Sequence, residues 1–327
     1  MKVDLSISLI IPTSGAARSQ ELTDLFASIA RQTLRPIEVI VVHSTESLLH
    51  IEGSESVRVM TIPREFGASA ARNRAAMQAK GTVLGFLDDD VVLDPRWCEF
   101  ALATFIEPTV GAVSGKATVE LDQFALDYLP TTFMWVVGGS YWNFPVTTQV
   151  GGAAGMNFCV RKDCFIEVGG FNEMLGPKGD RPEHRGWRRL GAEEGDLAVR
   201  VRLLCRQTVL FNPKMVVSHR VRRGSVSLIA IAKRSLHVGH NRAYIRHRFF
   251  RLGRLQDSIS FGPLIKTIAV SAAVFKQPVV SWKRLSFMFF VLSFFLTGYA
   301  FGLLEFGVRG RKGTSGTHMG LNKQRQA

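Results

Sequence analysis

An α/β fold with a mainly parallel central sheet is predicted by three observations on the 327-residue chain. Short apolar runs rich in β-branched residues alternate with amphipathic stretches of helical length through the first hundred residues. Those runs are apolar throughout, as strands buried on both faces require. One of them, 83–87, runs straight into Asp88, Asp89 and Asp90, at the carboxyl end where sheets of this kind hold their ligands.

Residues 6–11 read as the first strand, closed by Pro12. In 21–32, Leu22, Leu25, Phe26 and Ile29 share one helical face, and 37–42 is a second β-branched run, which completes a βαβ unit. A third strand at 57–62, an alanine-rich helix at 68–80, the strand at 83–87, a helix at 97–105 and a strand at 110–119 follow. Segment 131–143 mixes aromatics with Gly138 and Gly139 and has no assignable period. Residues 173–190 combine Gly, Pro and charges of both signs, the composition of a mobile loop. A helix at 196–204 and short strands at 208–211 and 215–217 close the regular part.

A hydrophobic share of 46% and a charged share of 21% allow a sizeable core and exclude a chain disordered over most of its length. The net charge of +14 is not spread evenly: residues 197–256 hold 14 Lys and Arg and no Asp or Glu, and the remaining 27 basic and 27 acidic residues cancel. A basic block beside apolar segments answers an anionic leaflet better than a duplex, so membrane is the expected partner and nucleic acid is not. Cys98, Cys159, Cys164 and Cys205 form no CxxC pair and read as reduced thiols of a cytosolic domain. The apolar run ending at Pro12 is too short for a signal peptide.

Beyond Arg220 the composition changes. Residues 285–304 carry no charge and seven aromatics, enough to cross a hydrocarbon layer, and a spanning helix that anchors the C-terminal part in the membrane is the favoured reading. Residues 258–275 are nearly as apolar but contain Pro263 and Lys266, so one or two segments enter or line the membrane. Residues 225–236 space Val226, Ile229, Ala230, Lys233 and Leu236 as a basic amphipathic helix, or as a structural helix with a solvated basic face. The expected organisation is therefore 1–220 catalytic, 221–257 basic amphipathic, 258–306 membrane-embedded or interfacial, and 307–327 a basic tail. The whole would sit on the cytoplasmic face of a membrane.

Three clustered aspartates at a strand end repel one another unless a cation or a donor offsets them. Hard carboxylate oxygens suit Mg²⁺ or Mn²⁺ bound together with a diphosphate; a solvated turn is the alternative. Taken singly, Arg72 is an exposed helix residue, Glu193-Glu194 an exposed helix start, and His219 a surface or capping histidine.

Together they say more. Asp88-Asp89-Asp90 follows Ala71-Arg72-Asn73 at short spacing, Gly151-Gly152-Ala153-Ala154-Gly155-Met156-Asn157 lies about sixty residues on, and Ala192-Glu193-Glu194-Gly195-Asp196-Leu197, Pro213 and His219 follow. This order resembles the inverting nucleotide-sugar glycosyltransferases of family 2, with the GT-A (nucleotide-diphospho-sugar transferase) fold, over roughly residues 5–220.

That resemblance implies a metal-binding DxD at Asp88 and Asp90, completed by His219. It implies donor contacts at Pro12, Thr13, Ser44, Arg72, Asn73, Asp88 and Asp89, and a sugar and acceptor side at Gly155, Met156 and Asn157. Glu194 stands as the base, with Glu193 and Asp196 as alternatives. His43-Ser44 replaces the family's usual acidic pair, so a UDP-sugar is the favoured donor without being secured. The absence of Gln-x-x-Arg-Trp argues for one transfer per encounter. The expected acceptor is a lipid-linked or growing glycan in cell-envelope or exopolysaccharide assembly. Two alternatives stay open, a nucleotidyltransferase and an inactive transferase-like membrane scaffold.

Overall fold

The computed structural model describes residues 4–13, 19–43, 57–63, 66–120, 129–140, 142–153, 155–177, 191–221, 226–250 and 278–312. The expectations for Ser44, the end of the 173–190 loop, the 258–275 segment and the basic tail beyond residue 312 lie outside these residues. Nine strands form one sheet in the order β3-β2-β1-β4-β8-β6-β9-β5, with β7 pairing β9. They are β1 (Ile7–Thr13), β2 (Glu38–His43), β3 (Val57–Thr61), β4 (Val83–Leu87), β5 (Val91–Leu93), β6 (Val110–Glu120), β7 (Thr148–Gln149), β8 (Asn157–Arg161) and β9 (Thr208–Arg220).

β3, β2, β1 and β4 are parallel, with Ile10 of β1 between Ile40 and Phe86. β8 then runs antiparallel to both β4 and β6, and β5 antiparallel to β9. The sheet is thus parallel in its first half and mixed in its second. β4 is buried at every position and β1 at all but one, which is why both read as unbroken apolar runs. Where the chain enters β4, a side chain at Gly81 would meet the Ser8 backbone nitrogen at 2.6 Å, so only glycine lets the two strands close.

Helices α1 (Ser19–Ala30) and α3 (Trp97–Thr104) cover one face with a core that includes Leu22, Leu25, Trp97 and Ala101. Helices α2 (Gly67–Gln78), α4 (Lys162–Glu167) and α5 (Glu193–Leu204) cover the other, around Ala71, Ala75, Phe86, Phe158, Phe165 and Leu197. The alanines of α2 allow that helix to lie close on β1 and β2.

The two short strands expected near Pro213 are one strand with a bulge. The β6–β9 register steps from Gly115↔Asn212 to Lys116↔Val216, leaving Pro213, Lys214 and Met215 looped out where Pro has no N–H to offer a ladder. Asn157 fills the opening: its amide nitrogen donates to the carbonyls of Lys116 (3.0 Å) and Met215 (2.8 Å), and its amide oxygen accepts from the Trp97 indole (2.9 Å). The residue is wholly buried.

The basic amphipathic helix expected at 225–236 is longer and more deeply engaged. Helix α6 (Leu228–Phe250) packs along α7 (Pro278–Lys312) and against the 3₁₀ turns of Thr131–Val137. Small residues set the spacing: a side chain at Gly239 would strike the Phe295 carbonyl, and one at Gly298 the Leu236 carbonyl. Ile231, Phe287, Met288, Val291 and Phe295 join Phe133, Val136 and Val137 in one apolar cluster. Ile245 and Phe249 pack on Val199 of α5. The boundary expected at residue 220 is therefore crossed by continuous packing.

Asn157→Ala strands two carbonyls and an indole N–H in the core, so about 3 kcal/mol of stability is expected to be lost in urea unfolding. An unchanged midpoint would show that the bulge is held by other means.

Candidate active site

The acidic cluster at the carboxyl ends of β1 and β4 is built where the chain leaves the sheet's centre for its edge. β4 ends at Leu87, the three aspartates make the turn, and β5 pairs with β9, setting Val91 opposite His219. In this turn Asp89 is buried, and Asp88 and Asp90 are partly exposed. Asp89 accepts a 2.7 Å hydrogen bond from Thr13 Oγ1, locking the end of β1 to the turn. It is thus a structural tie where a donor contact was expected. Asp88 and Asp90 keep 38% and 21% of their side chains exposed.

Arg72, three helical positions from the buried Ser69 of α2, is itself only 3% exposed. Its guanidinium reaches Asp88 Oδ1 at 2.8 Å, Glu194 Oε1 at 3.3 Å and Glu193 Oε1 at 3.4 Å, and lies 5.6 Å from the Phe171 ring centroid. Burial disfavours its charge, but Asp88, Glu194 and Glu193 outweigh that and hold the guanidinium firmly charged. Neither an exposed Arg72 nor an exposed Glu193-Glu194 survives in the structure.

The helix expected from 196 starts at Glu193, because Ala192 caps it in the left-handed region (φ 70°). Such a conformation in a residue with a Cβ is strained. Here it turns Glu193 and Glu194 inward together. Gly155 lies against Glu194 so closely that any side chain would overlap its Oε1. Burial first, then the charge of Glu193, push the Glu194 carboxyl well above the ordinary carboxylate range, against the opposing pull of Arg72.

Asp196 is not available as a base. It is fully buried, with Arg200 Nε at 2.8 Å and Arg248 Nε at 3.1 Å, and so ties α5 to α6. Asn157, occupied in the bulge, does not line the sugar side either. Met156 is partly buried against the core, and Gly155 alone of that trio touches the acidic cluster. Asn73 is spent on the chain: it donates to the Phe171 carbonyl at 2.9 Å and accepts from the Phe171 N–H at 2.8 Å. With Ser69, which donates to the Leu175 carbonyl, it straps residues 171–177 over α2. Pro12 is half-buried at the end of β1, and Ser44 is outside the described residues. His43 is buried, with Nε2 2.9 Å from Thr61 Oγ1.

His219 Nδ1 lies 3.0 Å from the Gly138 carbonyl and Nε2 3.4 Å from Asp90 Oδ1. Burial opposes a charge on the ring, but the Asp90 hydrogen bond and charge prevail and raise its pKa above the ordinary value. The donor set of Asp88, Asp90 and His219 suits a hard divalent cation in kind. In arrangement, no group of three His, Cys, Asp or Glu side chains among the described residues converges to hold an ion, since Asp88 is turned to Arg72. Gly138, Ala192 and Arg248, which place His219, Glu194 and Asp196, had no sequence signal beyond a glycine in an unassigned stretch and an arginine in a basic block.

Residues 8–169 match the family model described as glycosyl transferase family 2. The chain is 25% identical over 226 residues, 66% of its length and 70% of the relative's, to a glucosyl-dolichyl phosphate glucuronosyltransferase of Haloferax volcanii. It is 28% identical to an uncharacterized glycosyltransferase of Haemophilus influenzae, over 52% of this chain and 57% of that one. In fold it is similar to the Pyrobaculum calidifontis mannosyltransferase PcManGT, solved with GDP-Man and Mn²⁺, at TM-score 0.52 and 16% identity over 91% of this chain and 86% of that one.

Removing Arg72 leaves Asp88, Glu193 and Glu194 without their shared cation. Glu194, which burial and Glu193 already hold above the ordinary carboxylate range, loses the guanidinium that opposes them, so its folded-state pKa rises further and stability falls as pH rises through that range. Arg72→Ala is expected to cost about 3–5 kcal/mol at pH 8 and clearly less at pH 5. Urea titrations at both pH values check this, and a cost independent of pH would mean the carboxylates are not coupled to the guanidinium.

Proposed function

The chain belongs to glycosyl transferase family 2 and has its GT-A fold, and from that premise we propose that it is a metal-dependent, inverting enzyme acting at a membrane. It is a glycosyltransferase that draws on a nucleotide-sugar donor. The finer reading is transfer of one sugar per encounter to a lipid-linked or glycan acceptor, from the cytoplasmic face, in cell-envelope or exopolysaccharide assembly. The name of the Haloferax volcanii relative, a glucosyl-dolichyl phosphate glucuronosyltransferase, supports the lipid-linked acceptor. The donor nucleotide is read as UDP, although His43 offers imidazole rather than carboxylate beside the β2 end.

The observation that carries the mechanism is Glu194 held beside Arg72 and Asp88. The acceptor hydroxyl must lose a proton as it attacks the anomeric carbon from the face opposite the departing diphosphate. Glu194, in its ionised form, takes that proton at a carboxylate oxygen. Its raised proton affinity makes it a stronger base than an exposed glutamate, and the charge of Arg72 favours its ionised form. Glu193 holds Arg72 from the other side and is the alternative base. The Arg72 guanidinium also offers positive charge toward the site where diphosphate charge develops. For Asp88, Asp90 and His219 to hold Mg²⁺ or Mn²⁺, Asp88 would have to turn from Arg72 toward the other two; the ion would then supply charge stabilisation to the leaving diphosphate, a use of the fold with which the Mn²⁺ and GDP-Man in the Pyrobaculum calidifontis neighbour accord.

Glu194→Gln is expected to lower kcat on the order of 10²–10⁴-fold with little change in donor binding. Asp196→Asn should act on stability first. The same loss in Glu193→Gln with Glu194→Gln near wild type would transfer the role to Glu193.

Because the base must be ionised, kcat/KM should fall as pH drops through the Glu194 pKa, with its acid limb well above the ordinary carboxylate value of 4.5. Glu193→Gln should move that limb down by removing a like charge. A pH–rate profile flat to pH 5 would exclude a buried carboxylate base. Chelation with EDTA should abolish transfer and Mn²⁺ restore it; full activity in EDTA would remove the metal from the reaction.

A further inference from the structure

We propose that α7 lies along the surface of an anionic leaflet, one face on the protein and the other among the lipid headgroups and upper acyl chains, and does not cross the bilayer. By length and composition it could cross: residues Trp282–Gly307 form 26 helical residues of mean hydropathy 2.0. Its neighbours forbid it. Helix α6 runs beside it in the same direction, with Gly239 against Phe295, Ala243 against Gly302 and His247 against Phe306. That helix carries Lys233, Arg234, Arg242, Arg246 and Arg248, and Arg248 is tied to Asp196 in the core of the catalytic fold. Moving α7 into hydrocarbon would take these charges, and the 3₁₀ segment packed on Phe287 and Val291, with it.

The outer face of α7 has the character that lipid contact needs. Trp282 (67% exposed), Phe289 (65%), Leu296 (52%) and Leu303 (40%) recur at seven-residue spacing, with Leu304 (69%) beside the last. They form a single stripe. Between Arg284 and Glu305 the helix has no charged residue, and Glu305 is held by His240 at 2.9 Å. The hydroxyls of Ser293 and Thr297 turn back onto the carbonyls of Phe290 and Ser293, so they are satisfied without water.

The border of the stripe is basic and aromatic. Trp282 and Lys283 stand at its start, and Arg246 donates to the Tyr299 hydroxyl at 3.0 Å along its side. Exposed Leu228 and Ile229 open α6 one turn before exposed Lys233. With no acidic residue from 197 to 256, the charge beside the apolar face has one sign, and its complement is anionic lipid. A second protein chain would have to bring its own acidic rim. The identity of the acceptor and the mechanism at Glu194 do not enter this inference.

The test uses the full chain in a Cys205→Ser background, where the remaining cysteines are buried, with spin labels at Ser286→Cys, Ser293→Cys and Ala300→Cys on the exposed stripe. Vesicles of phosphatidylcholine alone, or with phosphatidylglycerol added, are the probe. Expected are sedimentation with the phosphatidylglycerol vesicles that weakens in high salt, and equal, shallow immersion of all three labels. Phe289→Ser with Leu296→Ser should weaken vesicle binding roughly a hundredfold while donor hydrolysis stays unchanged. Three results overturn the proposal: a label depth greatest at position 293, which a crossing helix produces; no partition into either vesicle; or a soluble dimer that shields the labels.

Discussion

A single buried guanidinium holds the candidate site's acidic cluster together. Asp88 comes from the end of β4 and Glu193 and Glu194 from the start of α5, more than a hundred residues later, and Arg72 of α2 lies within 3.4 Å of all three. Without a cation among them, the carboxylates would drive their elements apart or take up protons. With only one, the cluster remains electrically negative when all three are ionised. That residual charge and the surrounding burial together explain why Glu194 retains a proton more strongly than a solvated glutamate. The same interaction that stabilises the architecture therefore sets the proton affinity of its candidate base.

The aspartate turn after β4 divides its three side chains between the core and the surface. Asp89 is buried and accepts from Thr13, while Asp88 and Asp90 stay partly exposed. Each then meets a different partner. Asp88 meets Arg72, and Asp90 meets His219, delivered by the β5–β9 pairing that sets Val91 opposite His219. The inward aspartate anchors the turn and thereby fixes the spacing of the outward two.

Much of the fold was legible because its signals are local. Strand β4 at 83–87 coincides with the apolar run that predicts it, and the strands and helices up to residue 120 lie within two residues of their expected positions, except that β5 was not read as a strand. Three residues are too few for a period to show. The Pro213 interruption looked like a strand break because a bulge and a loop share the same residues; only the tertiary plug by Asn157 keeps the strand continuous. In the site, the acidic motifs were visible as residue types, but their division of labour was not. Asp196 sits three residues from Glu193 on the same helix, and its fate is decided by Arg248 on a helix fifty residues away. Asn73 likewise reads as a donor group until the Phe171 backbone occupies both ends of its amide.

Helix α6 is stitched to the catalytic fold at three separate places: Arg234 donates to the Val136 carbonyl, Ile231 sits among Phe133, Val136 and Val137, and Ile245, Phe249 and Arg248 bear on α5. Modular exchange is constrained as a result. A transferase cassette cut out at residue 220 would expose an apolar seam and leave Asp196 short of one of its two arginines, so any swap of the active-site half between homologous enzymes must carry the basic helix as inseparable cargo.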